Sequence, residues 1–112
     1  MFAITENKGV HITFDNGYTV SAQWGADNYC SRYGRHLEEG YQYREEMRMD
    51  LVESQDCEIA IWRNVRKSWE TDKILSELGI DKYRPGPCSV AADVTAEEFA
   101  KILMYMATRP NQ

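Results

Sequence analysis

The chain has 112 residues, of which 43% are hydrophobic and 28% charged, values typical of one soluble globular domain. Its apolar runs are shorter than the roughly 20 residues that span a bilayer. Its opening sequence MFAITENKG lacks the pattern of a secretory signal, so a cytoplasmic protein is expected. The net charge of −5 disfavours a dedicated DNA or RNA binder, because neutralising phosphates requires clustered Lys and Arg.

The stretch from Val10 to Trp24 predicts a β-hairpin, since apolar and polar residues alternate on both sides of an Asp-Asn-Gly turn sequence. A two-residue turn would place Phe14 opposite Thr19 and mix apolar with polar residues on one face. A three-residue loop keeps the faces separate and puts Gly17 at the left-handed position that such a loop requires. We therefore predict this second register. Its pairs are Phe14–Tyr18, Ile12–Val20, Val10–Ala22, Thr13–Thr19 and His11–Ser21.

The remaining strands are predicted from shorter patterns. Phe2 and Ile4 alternate ahead of the hairpin and are expected to extend its first strand. Cys57 to Arg63 is rich in β-branched and aromatic residues, which favour a strand, and a short strand from Lys67 to Glu70 is expected to follow. A last strand is predicted from the alternation of Cys88, Val90, Ala92 and Val94.

The segment from Leu37 to Val52 supports two interpretations. Its content of Glu, Arg, Met and Leu favours a helix. The alternation of Met47, Met49 and Leu51 with charged residues instead favours a strand from Glu46 to Val52. We favour the strand and keep the helix as the alternative.

Two helices complete the predicted fold. Thr71 is expected to cap a short helix from Asp72 to Leu78, which ends at a left-handed Gly79. A longer C-terminal helix is predicted from a capping box, Thr95 with Glu98, followed by an apolar stripe and ended by Pro110. The stripe consists of Phe99, Ile102, Leu103 and Met106. Together the elements predict an α+β fold, an antiparallel sheet of about five strands packed by the C-terminal helix, with a possible short second helix.

Acidic residues are concentrated between Leu37 and Glu58, a stretch we call the acidic segment. It contains eight acidic residues and two arginines, a local charge of −6, so it accounts for the whole negative excess of the chain. The simpler interpretation is a solubilising surface. The alternative is that its carboxylates replace nucleic-acid phosphates in front of a basic partner. The residues predicted to bind such a partner are Glu38, Glu39, Glu45, Glu46, Asp50 and Glu53.

A second candidate surface combines cations with aromatic rings between residues 62 and 69. Arg63, Arg66, Lys67 and Trp69 are suited to stack on a nucleotide and hold its phosphate. The alternative interpretation, which we favour, is that Trp62 and Trp69 pair across a hairpin as part of the core, with the basic residues in its turn.

Cysteine and histidine spacing does not predict catalysis or metal binding. The odd, scattered cysteines favour reduced thiols, and they lack the paired ligands of a structural zinc site. Cys30 precedes His36 by six residues, but no local signature supplies the base that an activated thiol needs. Cys57 and Cys88 are expected to face inward, and His11 to lie on a solvated sheet face. We therefore predict a protein that is not an enzyme and uses no metal or cofactor.

Most of the chain resembles a type of small hypothetical protein met in phages and prophages. The resemblance rests on the hairpin HITFDNGYTVSAQWG with ADNYC after it, the strand CEIAIW, and the capped helix in VAADVTAEEFAKIL. It implies a phage protein that inhibits bacterial defence by binding. The predicted partner is a defence protein with a basic surface, such as a CRISPR effector, bound in the host cytoplasm through the acidic segment without direct contact to nucleic acid.

Two other functions remain as alternatives. The first is a sponge that sequesters a nucleotide second messenger, as the Thoeris anti-defence proteins do, through Arg63, Arg66, Lys67 and Trp69. A homodimer is expected in that case, because a messenger pocket in so small a domain would need two subunits to enclose it. The second alternative is a small enzyme, for which no set of acid, base and nucleophile is found.

Overall fold

A computed structural model of the chain describes residues 1–5, 8–25, 28, 30, 53–65, 68–83 and 89–110. The two interpretations of Leu37 to Val52 therefore lie outside the described residues. The described elements, in chain order, are β1 (Phe2–Thr5), β2 (Gly9–Thr13), β3 (Tyr18–Gln23), β4 (Asp56–Arg63), β5 (Ser68–Trp69), α1 (Thr71–Leu78), β6 (Ala91–Thr95) and α2 (Ala96–Ala107).

The hairpin formed by β2 and β3 has the predicted register. Ile12 lies opposite Val20, and His11 lies opposite Ser21. The turn is closed by a hydrogen bond from the Phe14 N–H to the Tyr18 carbonyl, 2.9 Å, and Gly17 has a φ of 95°. Because a shift of one residue would exchange the two faces, burial and the left-handed glycine select the same pairing.

The prediction for Phe2 and Ile4 is wrong in one respect. They do not extend the first hairpin strand but form a separate strand, β1, which pairs antiparallel with β2 and places Phe2 opposite Ile12. The chain reverses between the two strands, and the Lys8 N–H donates to the Thr5 carbonyl at 2.7 Å in this turn. Alternation predicted the strand, but it carries no information on whether the chain continues or turns back.

Within the described residues the sheet has six strands, and β4 is the strand that pairs with three others. One of its edges pairs with β3 from Glu58 to Arg63, whereas β5 and β6 share the other edge. The prediction of a strand from Cys57 to Arg63 is confirmed, with one residue added at its start. The predicted strand from Lys67 to Glu70 is present as the shorter β5.

The last strand begins later than predicted, at Ala91, and Cys88 lies outside the described residues. Strict alternation of buried and exposed residues fails in β6, because Ala91 and Ala92 are consecutive and both buried. The register between β6 and β4 shifts at the same place, between Cys57 and Ile59. Asp93 has a φ of 55°, a conformation that aspartate tolerates better than most residues. This irregularity lets consecutive residues face the interior.

Both predicted helices are present, but Thr71 does not cap the first. Glu70 is the residue before α1, no side chain caps it, and Thr71 belongs to the helix. Gly79 ends α1 in the left-handed conformation as predicted, with the Ile80 N–H donating to the Leu75 carbonyl at 2.9 Å.

The capping box that begins α2 is confirmed. The Glu98 N–H donates to Thr95 Oγ1 at 3.2 Å, and the Thr95 N–H donates to Glu98 Oε1 at 2.9 Å. The helix ends at Ala107, before Pro110. There the Asn16 side-chain amide donates to the carbonyl of Met106 at 2.6 Å, so the turn of the hairpin holds the end of the helix.

The core lies between one face of the sheet and the two helices, which confirms the α+β prediction. Ile102 and Met106 of the predicted stripe are fully buried, and Phe99 and Leu103 pack at its margin. They contact the sheet face of β3 and β4, together with the buried side chains of α1. The fully buried large aliphatic residues of the sheet and α1 are Val20, Ile59, Ile61, Ile74, Leu75 and Val94.

Candidate functional site

Carboxylates from three elements lie at one end of the sheet. β3 and β4 run in opposite directions, so Gln23 and Glu58 meet at this end. Thr95 lies opposite Asp56 there, and α2 begins directly after it. We call this region the acidic end. Its carboxylate residues are Glu53, Asp56, Glu58, Asp93, Glu97 and Glu98.

The acidic end combines exposed carboxylates with one that is held in place. Glu53, Asp93 and Glu97 are exposed. Partial burial opposes the ionisation of Glu98, but hydrogen bonds from the Thr95 backbone and from Lys82 outweigh it and lower its pKa. The Lys82 ammonium lies 2.9 Å from Glu98 Oε1 and donates to the Asp93 carbonyl at 3.0 Å. Glu98 therefore carries negative charge at neutral pH, offset in part by Lys82.

Of the six residues predicted to bind a basic partner, Glu53 is described, and it is exposed at the acidic end. Glu38, Glu39, Glu45, Glu46 and Asp50 lie outside the described residues. Sequence reasoning missed the contribution of Asp93, Glu97 and Glu98. Their proximity to the acidic segment follows from the pairing of β4 with β6, two strands that are far apart in the chain.

Trp62 and Trp69 pair across the β4–β5 hairpin, as the favoured interpretation predicted. Their rings meet edge to face with centroids 5.5 Å apart, but the Trp69 side chain is 55% exposed, so it is not part of the core. Arg63 lies opposite Ser68, and because neighbouring strand residues point to opposite faces, Arg63 and Trp69 are on different sides of the hairpin. Arg66 and Lys67 lie outside the described residues.

The Arg63 guanidinium has an incomplete set of partners. Its Nε is buried without a hydrogen bond, and it lies 3.9 Å from Glu70 Oε1, beyond hydrogen-bonding distance. The charges of Arg63 and Glu70 nevertheless offset each other at this edge of the sheet. Of the four predicted nucleotide-binding residues, Trp69 is the one whose described geometry suits stacking on a base.

His11 lies on the sheet face opposite the helices, partly buried rather than freely solvated. Its ring meets Trp62 edge to face at 5.1 Å. Desolvation by burial lowers the pKa of His11, so the neutral imidazole is favoured at neutral pH. His36, which follows Cys30 by six residues, lies outside the described residues.

A cluster that sequence reasoning did not identify joins the two helices. Tyr105 donates its hydroxyl to Glu77 Oε1 at 2.5 Å, and Arg109 Nη1 donates to the same oxygen at 2.7 Å. The hydrogen bond from Tyr105, followed by that from Arg109, lowers the pKa of Glu77. The Arg109 guanidinium also lies 5.5 Å from the centre of the Tyr18 ring. The cluster connects α1, the end of α2 and the sheet, so we assign it a structural role.

The prediction that Cys57 faces inward is confirmed, since its side chain is buried on β4. Burial raises the pKa of the Cys57 thiol to about 12, with further contributions from nearby groups. These groups are Cys30, Asp56, Glu58 and Glu98. Within the described residues, no group of three or more His, Cys, Asp or Glu side chains is placed to hold a metal ion.

Cys57 is therefore expected to resist alkylation in the folded protein. With a pKa of about 12, its thiolate fraction at pH 8 is roughly a thousandfold below that of an ordinary cysteine. Iodoacetamide labelling followed by peptide mass spectrometry measures this, with the same reaction in urea as the control. Rapid labelling of Cys57 in the folded state would contradict the expectation.

No family model, curated protein or solved structure matches this chain. The resemblance to a phage protein type therefore stays a prediction. Among the described helices, none has the length and apolar character needed to cross a membrane.

Proposed function

We propose that this protein inhibits a bacterial defence protein by binding, without catalysis, and that its acidic surface occupies a basic site that otherwise holds nucleic acid. The observation that supports the proposal is the acidic end. Glu53, from the acidic segment, lies at the same end of the sheet as Glu97 at the start of α2. Carboxylates held on several elements form a surface, whereas a charged run in the sequence alone does not define one.

The physical requirement is a charge pattern that competes with phosphates. A basic channel attracts any rigid array of anions, and such attraction speeds association and weakens as salt is added. The acidic end meets the rigidity condition in part, because hydrogen bonds from Thr95 and Lys82 hold Glu98. A defence protein bound to the acidic end should therefore release it when DNA or RNA competes for the basic site of that defence protein.

Charge reversal at the acidic end tests the proposal. The double variant Glu53→Lys with Glu97→Lys is expected to weaken capture of the partner from bacterial lysate about tenfold or more at low salt. Glu45→Lys with Glu46→Lys should act in the same direction. Binding is measured by pull-down at low and high salt with mass spectrometry, and by displacement of the captured protein with a DNA or RNA oligonucleotide.

Asp15→Lys is the matched control, since Asp15 is exposed in the hairpin turn at the opposite end of the sheet. It makes the same change of charge per substituted residue, half that of a double variant, and should leave capture intact. Capture that is insensitive to salt, to the oligonucleotide and to both double variants would overturn the proposal.

The nucleotide sponge remains a second candidate because Trp69 presents an exposed ring beside Trp62. A co-purifying nucleotide with no protein partner would favour it. In that case a nucleotide should raise the melting temperature of the protein, and Trp69→Ala and Arg66→Ala should remove the effect.

A further inference from the structure

Among the described strands, β1 lies at the edge of the sheet, and its apolar side chains are exposed. Phe2 is 79% exposed and Ile4 is 81% exposed, although both lie on the face of the sheet that packs against the helices further along. Met1, next to them, is 79% exposed. Large apolar side chains clustered on one strand in this way are typical of an interaction surface.

Within the part of the chain that the structure describes, the edge of β1 lacks the charges, prolines and bulges that usually prevent strand pairing. Its sequence, FAIT, contains no charged residue and no proline, and it pairs with β2 residue by residue without a bulge. Met1 and Thr13 exchange two main-chain hydrogen bonds of 2.8 Å. Because bonding direction alternates along a strand, the N–H and carbonyl groups of Phe2 and Ile4 point away from β2.

We propose that β1 pairs antiparallel with β1 of a second copy of this chain, around a twofold axis at Ala3. In this register Phe2 of each copy lies opposite Ile4 of the other. All four outward N–H groups and their carbonyls then find partners, and the apolar side chains of both copies share one face. Shifting the register by one residue would place Phe2 opposite Ala3 or Thr5, residues whose backbone groups point towards β2, so the side chains and the backbone select the same arrangement.

The surface available fits a weak, reversible dimer. A stable interface buries about 800 Å² on each partner, and an aromatic side chain such as Phe2 supplies roughly 150–250 Å². Phe2 and Ile4, which share one face, together supply less than about half of that area, with main-chain hydrogen bonds in addition. Each copy carries a net charge of −5, so the two repel each other and added salt should strengthen the dimer.

Sedimentation of the purified protein over a range of concentrations tests the inference. The wild type should show a concentration-dependent dimer, and Ile4→Lys should be monomeric at the same concentrations because it places a cation in the pairing face. Met104→Lys is the matched control, since Met104 is 73% exposed on α2, away from β1. It should dimerise like the wild type. A wild type that stays monomeric at every concentration would overturn the inference. Equal loss of the dimer in Ile4→Lys and Met104→Lys would also overturn it.

A second variant tests the register itself. Ala3 of both copies would form a non-hydrogen-bonded pair with Cα atoms about 4.5 Å apart, a separation that a disulfide can span. Ala3→Cys should therefore give a covalent dimer on mild oxidation, whereas Met104→Cys should not. Failure of Ala3→Cys to cross-link in a protein that dimerises would exclude this register.

The dimer does not depend on the proposed function, and the salt response separates the two. Capture of a basic partner should weaken with salt, whereas self-association through β1 should strengthen. Ile4→Lys should abolish the dimer and leave the acidic end unchanged.

Discussion

Replacing Gly9 with alanine is expected to destabilise the protein by about 3 kcal/mol or more, because the new methyl group has no room. A Cβ at position 9 would lie 1.9 Å from the Ala22 carbonyl oxygen and 2.8 Å from the Gln23 Cα. Both atoms belong to the backbone of β3, the strand paired with β2, so no side-chain rotation relieves the clash. The two strands would have to separate at this point.

Urea denaturation of the variant and the wild type measures this loss. Gly25→Ala is the matched control, because its Cβ would lie 3.0 Å from Cγ of Lys8, a side chain that can move. It should cost clearly less than Gly9→Ala. Equal stability of the two variants would show that the backbone of β3 does not constrain position 9.

Thr71→Val is expected to cost about 1–3 kcal/mol, although valine has nearly the same shape as threonine. Thr71 is fully buried, and its hydroxyl oxygen accepts a hydrogen bond from the Ile61 N–H at 2.9 Å. The hydroxyl donates to the Ser89 carbonyl at 2.7 Å. Ile61 lies in β4 between the residues paired with β6 and those paired with β5, so no strand partner is available for its N–H. Valine would leave that donor buried and unsatisfied.

Two comparisons isolate the hydroxyl of Thr71. Thr71→Ser keeps the hydroxyl and should retain more stability than Thr71→Val. Thr108→Val removes an exposed hydroxyl from the end of α2 and should have little effect. Hydrogen exchange of the Ile61 amide, measured by NMR, should accelerate in Thr71→Val alone. If Thr71→Val were as stable as the wild type, the hydrogen bond from the Ile61 N–H to the Thr71 hydroxyl would not contribute to stability.

Elements governed by short-range patterns were predicted closely. The register of β2 and β3 follows from alternation and one turn glycine, and the start of α2 follows from a capping box of two residues. In each case the interacting groups are within a few residues of each other. The physical cause is therefore visible in the sequence.

The prediction of Thr71 as a cap shows where local reasoning stops. Threonine before an amphipathic stretch favours capping, and nothing nearby indicates that its hydroxyl is needed by Ile61 instead. That need arises because two strands share one edge of β4. The bulge at Asp93 has the same origin, since it adjusts β6 to β4 and moves the start of the strand.

The candidate site was predicted in part. The charge of the acidic segment could be counted directly, and of its predicted partner-binding residues Glu53 is described and exposed. The addition of Glu97 and Glu98 to the same end required the pairing of β4 with β6. The placement of Arg63 and Trp69 on opposite faces required the register of a two-residue strand.

By itself, the sequence determined the α+β class, the hairpin register and the C-terminal helix, because alternation, turn and capping interactions act over a few residues. The tertiary structure alone decided that the chain reverses after β1 and leaves its apolar side chains exposed, that the Thr71 hydroxyl accepts from the Ile61 N–H, and that carboxylates from distant segments share one end. These outcomes depend on which segments meet across the sheet. Contacts between distant segments are set by the packing of the whole core rather than by neighbouring residues.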